Sequence, residues 1–189
     1  MSTERLTTTS YVVLGLIALR GPSTSYDLKR AVGHSVGYFW SFPHAQLYSE
    51  PRRLSEMGLL EVATELDGRR RQTFSVTDQG SQALRRWLAE PVTEPMQVRD
   101  VAELKLFFSE LSSGKDVLTM AKEQVRQHSD RIRVYEDMEE RYGAVDRLAP
   151  RLVSLRLGLR LEHAALDFWT ELVGELSNAS GSGQARDAS

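Results

Sequence analysis

The spacing of apolar and polar residues over the first ninety positions predicts four helices and one hairpin. Gly21-Pro22 ends the first helix, and Gly58 suits the C-terminal end of the third. Ser41 is expected to cap the third helix, with Pro43 in its first turn, where a missing N–H costs little. The predicted elements are helices from Thr7 to Leu19, Tyr26 to Val32 and Ser41 to Met57, a hairpin from Leu59 to Val76, and a helix from Thr77 that ends before Pro91.

The hairpin carries a cluster of positive charge at its tip. Asp67-Gly68 lies between two alternating apolar runs, and both residues tolerate the positive φ of a tight turn. Arg69, Arg70 and Arg71 follow it directly. Because side chains alternate faces along a strand, Arg69 and Arg71 are expected to face solvent if Phe74 packs on the core, with Arg70 on the opposite face. The cluster is therefore interpreted as a clamp on a phosphate backbone rather than a reader of bases.

The order helix, helix, helix, hairpin, helix is that of a winged helix-turn-helix, and the rest of the chain is predicted to be helical. The fold class is mainly α, with an N-terminal winged helix-turn-helix and an all-helical C-terminal dimerisation region. The predicted domains are 1–90, a hinge at 91–97, the helical region at 98–177 and a disordered tail at 178–189. Helices are expected from Arg99 to Leu111, Lys115 to Tyr142 and Leu148 to Ser177.

The last helix carries two adjacent apolar stripes, more than a two-helix hairpin covers. One reading is a closed three-helix bundle; the favoured reading is a homodimer, which would present two recognition units at a fixed spacing. The second stripe comprises Val153, Leu157, Leu161, Ala164, Phe168 and Leu172. The heptad positions assigned to dimerisation are Leu152, Leu155, Leu159, Leu166, Trp169, Val173 and Leu176.

The third helix is the candidate recognition helix. If Leu47 and Leu54 face the core, the outward positions are Ala45, Ser49, Arg52 and Glu56, with Gln46, Tyr48 and Arg53 on the flanks. Gln46 suits adenine, Arg52 suits guanine or phosphate, and the Tyr48 hydroxyl suits phosphate. The alternatives are solvated polar side chains, packing by Tyr48, and pairing of Arg52 and Arg53 with glutamates.

Composition and charge exclude several functional classes. The 189 residues carry a net charge of −2 and no cysteine, so disulfides and thiolate chemistry are absent. No run is apolar enough to cross a membrane, and Met1 to Thr9 lacks the apolar region of a secretory signal, which predicts a cytoplasmic protein. The sequence contains neither a nucleophile motif nor a phosphate-cradling glycine loop, so an enzyme, a cofactor and a metal site are not expected.

Two groups of residues leave further possibilities open. His128 and His163 could meet across the long helices, where a polar partner is favoured over a metal. Seven aromatic residues could line a pocket for a small effector, although aromatics at helical spacing usually pack in a core: Phe39, Trp40, Trp87, Tyr135, Tyr142, Phe168 and Trp169.

Over residues 8–90 the chain resembles the PadR-like family of bacterial transcriptional regulators. The matching motifs are Val13 to Ile17, Ser25 to Leu28, Gln46-Leu47-Tyr48, Arg53-Leu54 with Gly58-Leu59-Leu60, and Phe74 to Gly80. Over 95–177 only the helical pattern is similar, and it looks like the coiled dimerisation region of longer members. Pro51 departs from the pattern, since many members have leucine there.

The resemblance implies a homodimeric, usually repressing DNA-binding protein, often released by a small molecule such as a phenolic acid. The expected partners are double-stranded DNA with a pseudo-palindromic operator, a second copy of the chain and a small aromatic effector. The alternative is a helical adaptor that binds protein and keeps only the winged-helix shape. The complete set of candidate DNA contacts is Ser25, Tyr26, Lys29, His44, Gln46, Tyr48, Ser49, Arg52, Arg53, Arg69, Arg70 and Arg71.

Overall fold

The computed structural model describes residues 5–40, 43, 45–65 and 71–186, with side chains to residue 179. The chain forms two compact units, Met1–Pro95 and Met96–Ser189. The N-terminal unit contains α1 (Thr8–Arg20), α2 (Ser25–Gly33), a 3-10 turn (Val36–Tyr38), α3 (Gln46–Glu56), β1 (Leu60–Thr64), β2 (Gln72–Val76) and α4 (Asp78–Ala89). The C-terminal unit contains α5 (Val101–Phe107), α6 (Gly114–Tyr142) and α7 (Ala149–Arg186), with 3-10 turns at Ser109–Leu111 and Asp146–Leu148. The predicted fold class, mainly α with an N-terminal winged helix-turn-helix and an all-helical C-terminal region, is confirmed.

Threonine side chains begin three of the four helices in the N-terminal unit. Thr7 and Thr24 each form a reciprocal capping box, the first with Ser10 and the second with Asp27. Thr77 accepts a hydrogen bond from the backbone N–H of Gly80 at the start of α4. Each cap satisfies backbone donors that would otherwise lack a partner, which explains why these helices begin where the sequence predicts.

The core of the N-terminal unit lies where α1, α2, α3 and the hairpin meet. Its fully buried side chains include Leu14, Ile17, Leu28, Leu47 and Leu54. In the antiparallel hairpin Leu60 pairs with Val76 and Val62 with Phe74, and Phe74 is buried in the same core. The backbone of Phe74 also exchanges hydrogen bonds with Ser23, at 3.0 and 2.9 Å, which attaches the hairpin to the start of α2.

Three features of α3 differ from, or refine, the sequence prediction. The helix begins at Gln46, later than predicted, after a turn in which the backbone N–H of Gln46 donates to the carbonyl of Pro43 (2.9 Å). Ser41, the expected cap, lies outside the described residues. Gly58 follows the helix with a φ of 74°, a conformation that favours glycine. Pro51 lies inside the helix with its ring fully buried, so it fills core volume at the cost of one backbone donor.

In the C-terminal unit α6 and α7 form an antiparallel pair, on which α5 packs. One cluster joins Ala102, Ala121 and Trp169, and further along the pair Tyr135 lies against Gly158. No helix in the described part of the chain combines the length and the apolar character that crossing a membrane requires.

The structure corrects two predictions about α7. Leu152 and Trp169 were assigned to the dimer interface, but they are 6% and 4% exposed and are buried within the unit itself. Periodicity identifies both stripes and does not show which one α6 covers. The helix also continues through Asn178 to Arg186, where a disordered tail was expected. Extending a formed helix adds one hydrogen bond for each residue ordered, so it costs little once the helix is nucleated.

Candidate nucleic-acid interface

The outward face of α3 presents polar side chains to solvent over a buried apolar face. Leu47, Pro51 and Leu54 point into the core. The exposed residues of the helix are Gln46, Tyr48, Ser49, Arg52 and Glu56. This arrangement matches the helical wheel drawn from the sequence, and Tyr48 is half exposed rather than packed. A helix with one anchored apolar face and one exposed polar face is suited to entering the major groove of DNA.

A polar seam, defined as Thr9, Ser10, Gln46, Glu50 and Arg53, joins the start of α1 to α3. The Oγ of the fully buried Ser10 donates to Oε1 of Glu50 at 2.6 Å and accepts from Nη2 of Arg53 at 3.0 Å. Arg53 also donates to both carboxylate oxygens of Glu50, at 3.0 and 2.7 Å. At the exposed end of the seam, the Thr9 hydroxyl donates to Oε1 of Gln46 at 2.9 Å.

The seam holds Glu50 in its charged form. Burial is the strongest single influence on Glu50 and opposes its ionisation, but the hydrogen bonds from Arg53 and Ser10 and the charge of Arg53 outweigh it. The pKa of Glu50 is therefore held below its ordinary value, and the carboxylate is charged at neutral pH. Arg53, a predicted phosphate contact with glutamate pairing as the alternative, pairs within the domain with Glu50, which lies one helical turn before it.

Arg52 is paired more weakly than Arg53. Its Nε lies 3.3 Å from Oε1 of Glu56, and the two side chains are 79% and 67% exposed. An exposed pair at this spacing contributes only about 0.3–0.5 kcal/mol. A phosphate or a base edge could therefore displace Glu56 from Arg52 at little cost.

An open groove of about 520 Å³ lies between the start of α2 and β2. Its lining residues are Thr24, Ser25, Tyr26, Asp27, Arg71, Gln72 and Phe74. Arg71 is exposed, as predicted, and its Nη2 lies 3.3 Å from Oδ2 of Asp27. Hydrogen bonds from the Thr24 side chain and backbone, assisted by Arg71, lower the pKa of Asp27 below its ordinary value. The groove thus places a tyrosine, a serine and an arginine next to one carboxylate.

The remaining candidate contacts are only partly described. Lys29 is exposed on α2, whereas Asp67-Gly68, Arg69, Arg70 and His44 lie outside the described residues. Thr9 and Asp27 were not predicted as site residues, although each contacts one that was. Asp27 could have been suspected, since the capping pattern of Thr24 and Asp27 places it at the start of α2 beside Tyr26. Thr9 carried no such signal.

The histidine and several of the aromatic residues that were candidates for a metal or effector site make contacts within the fold. Nδ1 of His128 lies 2.6 Å from Oε2 of Glu162, so His128 has a polar partner, and that partner is not His163. Tyr135 and Trp169 are buried, and Trp87 stacks on Tyr11 with ring centroids 4.6 Å apart. None of the seven aromatic residues lines the groove between α2 and β2.

Comparisons with known proteins identify the family. Residues 13–86 match the model of the transcriptional regulator PadR-like family, and residues 98–177 match the model of the virulence activator alpha C-terminal region. Residues 13–86 therefore carry the domain of the PadR-like family of transcriptional regulators. The relatives of the chain are transcriptional regulators and not enzymes, so it is a DNA-binding regulator.

Similar proteins come from several bacteria. The negative transcriptional regulator PadR of Bacillus subtilis is 28% identical over 124 residues, which is 65% of this chain and 68% of that protein. A probable transcriptional regulator of Mycobacterium tuberculosis is 29% identical over 173 residues, covering 81% of this chain and 89% of its own length.

Solved structures of PadR-like proteins share the fold. Bacillus subtilis PadR in complex with operator DNA has a TM-score of 0.81 at 22% identity and covers 90% of this chain and 99% of its own. The same protein in complex with p-coumaric acid has a TM-score of 0.75 at 23% identity, covering 89% and 98%. The Vibrio cholerae virulence activator AphA has a TM-score of 0.70 at 27% identity, covering 91% and 99%.

Proposed function

We propose that this PadR-like regulator binds a pseudo-palindromic operator as a homodimer in the bacterial cytoplasm and represses transcription. The observation that carries the proposal is the outward face of α3, where Gln46, Tyr48, Ser49 and Arg52 are all exposed above a buried leucine face. Its residue types are those that contact bases and phosphates in the major groove. The operator complex of Bacillus subtilis PadR, which shares this fold, supports the same use of DNA.

The roles of the contacts follow from their positions. Gln46 and Ser49 lie in the first half of α3, the part of a recognition helix that reaches base edges. The phosphate backbone, which carries no sequence information directly, is assigned to Tyr26 and to the arginines of the hairpin, or wing: Arg69, Arg70 and Arg71. Tyr48 and Arg52 complete the backbone contacts. Lys29, Ser25 and His44 remain additional candidates at the edge of this surface.

Dimerisation is assigned to the exposed stripe of α7. Val153, Leu157, Leu161 and Phe168 are 62%, 60%, 48% and 49% exposed, which is unusual for four large apolar side chains on one helix. These side chains repeat at helical spacing and so form one stripe along α7. A second copy of α7 could cover that stripe, as in a helical bundle. Of the predicted interface residues, Leu155, Leu159, Leu166, Val173 and Leu176 are half-buried and could flank the stripe.

Repression and relief by a small aromatic effector are the finer parts of the proposal. Negative regulation is supported by Bacillus subtilis PadR, and its complex with p-coumaric acid supports a phenolic effector class. AphA is an activator, so the sign of regulation needs its own test. Expression of a reporter placed under the region upstream of this protein's gene should fall when the protein is present. Expression should recover when a hydroxycinnamate is added.

The division between wing and α3 has a direct test in equilibrium binding to DNA. Replacing Arg69, Arg70 and Arg71 with alanine should weaken binding to every sequence and reduce the salt slope by about 0.9 for each phosphate that the variant no longer neutralises. Replacing Gln46 should change the preference at one base pair and leave the salt slope unaltered. Equal weakening on all sequences by both sets of variants would contradict the assignment, as would wild-type protein that fails to bind DNA at low salt.

A further inference from the structure

The side chain expected to read a base, Gln46, is held by a residue from another helix. Gln46 is the first residue of α3, and its Oε1 accepts a 2.9 Å hydrogen bond from Oγ1 of Thr9, in the first turn of α1. A glutamine amide on an exposed helix surface would otherwise rotate freely and present either its oxygen or its nitrogen. Here one atom of the amide already has a partner.

The position of Thr9 relative to Gln46 is fixed by the buried part of the polar seam. Ser10, the next residue of α1, is fully buried and bonds to both Glu50 and Arg53. Glu50 lies four residues after Gln46 and therefore on the same face of α3. Two consecutive residues of α1 thus engage one face of α3, and the start of the recognition helix cannot rotate away from Thr9 without breaking charged hydrogen bonds.

The bond has a consequence for base recognition. With Oε1 turned toward Thr9, the amide nitrogen and its two donors are left for the DNA. Donors match purine N7, guanine O6 and thymine O4 in the major groove, whereas cytosine offers an N4 donor and needs an acceptor. The second lone pair of Oε1 can still accept from adenine N6, so the bidentate adenine contact is retained.

We propose that Thr9 is a specificity-determining residue of this regulator, because it holds the Gln46 amide with its N–H donors toward the DNA, an orientation that accepts adenine, guanine or thymine and rejects cytosine at one position of each half-site. Thr9 itself positions Gln46 and touches no base. The inference rests on the proposed function, since it requires α3 to lie in the major groove.

The test compares the full-length wild type with four variants by selection from a random duplex library, followed by binding titrations on the four single-base substitutions of the selected site. Thr9→Val removes the hydroxyl and keeps the shape of the side chain, and Thr9→Ser keeps the hydroxyl. Gln46→Ala identifies the base pair concerned. Thr8→Val is the matched control, since Thr8 is an exposed threonine one position earlier in α1. Thr9→Ala replaces Thr9→Val if melting curves show that valine disturbs the fold.

At the base pair where Gln46→Ala changes the preference, three proteins should bind the best base about 5- to 150-fold more tightly than cytosine. These are the wild type, Thr9→Ser and Thr8→Val. Thr9→Val should lose most of that ratio at the same base pair while its salt slope is unchanged. Retention of the full ratio by Thr9→Val, or its loss in Thr9→Ser, overturns the inference and leaves the proposed function intact. If the wild type selects no sequence at all, the proposed function fails together with the inference.

Discussion

Glu50 offers the sharpest test of how α3 is held, because replacing it with glutamine removes a charge without changing the shape of the side chain. Its side chain is 12% exposed and accepts from Ser10 and from two nitrogens of Arg53, itself 28% exposed. Glutamine keeps one acceptor for Ser10 but offers Arg53 no negative partner. The buried end of the polar seam then contains an arginine whose charge is no longer balanced by its neighbour in the helix.

The loss of unfolding free energy expected for Glu50→Gln lies between the values measured for buried and for exposed ion pairs. Breaking a fully buried ion pair costs about 3–5 kcal/mol, and an exposed pair contributes about 0–1 kcal/mol. Because Arg53 is a little more than a quarter exposed, water can partly solvate its freed charge. We therefore expect Glu50→Gln to lower the free energy of unfolding by about 1–2 kcal/mol at neutral pH, or the midpoint of thermal unfolding by about 2–8 °C for a chain of this size.

The cost should depend on pH in a defined direction. The pKa of Glu50 is below its ordinary value of 4.5 in the folded protein, so its stabilising effect is present above that value and is lost as pH falls through the folded-state pKa. Thermal unfolding of the full-length protein, followed by circular dichroism, should show the largest difference between wild type and Glu50→Gln near neutral pH. The difference should shrink below about pH 4.5.

The matched control is Glu56→Gln, which removes the partner of Arg52 from an exposed pair on the same helix. It should change the free energy of unfolding by no more than about 0.5 kcal/mol. The reasoning is refuted if Glu50→Gln is as stable as Glu56→Gln at neutral pH, or if its cost is constant across the acid range.

Three further predictions concern other parts of the molecule. Asp27→Asn, which removes the carboxylate 3.3 Å from Arg71, should tighten operator binding about two- to fivefold in anisotropy titrations; unchanged affinity would show that Asp27 does not compete with phosphate. Gly80→Ala should cost about 1–3 kcal/mol in thermal melts, because an added Cβ would clash with the carbonyl oxygen of Leu59, and wild-type melting would contradict that crowding. Leu157→Glu should yield a monomer in light scattering, whereas a persistent dimer would place the interface elsewhere.

Local chemistry made much of the N-terminal unit predictable from the sequence. Helix starts were found where a threonine caps the first turn, as at Thr24 and Thr77, because capping is decided by residues close together in the chain. The alternation of Phe74 and Arg71 between core and solvent also followed from strand geometry. The start of α3 was predicted less well, since the helix begins only after a turn in which Gln46 bonds to the carbonyl of Pro43.

Contacts between distant residues could not be predicted in the same way. Thr9 and Gln46 are separated by 37 positions, and nothing local to either residue indicates that they meet. The two stripes of α7 are a related case, since periodicity located both of them but could not show that Leu152 and Trp169 are buried within the unit. Pairing of Arg53 with Glu50 was one of two alternatives, and the additional bond from Arg53 to the buried Ser10 depends on residues 43 positions apart.

The central claim, a dimer that reads a symmetric site through α3, is tested most directly by sequencing duplexes that the purified full-length protein selects from a random library, with the stoichiometry of the complex measured on the best sequence. The account predicts an inverted repeat with half-site centres about one helical turn, or a multiple of it, apart, two chains bound to each duplex and affinity that falls steeply with salt. Enrichment of an asymmetric site bound by one chain, or no enrichment at all, would contradict it.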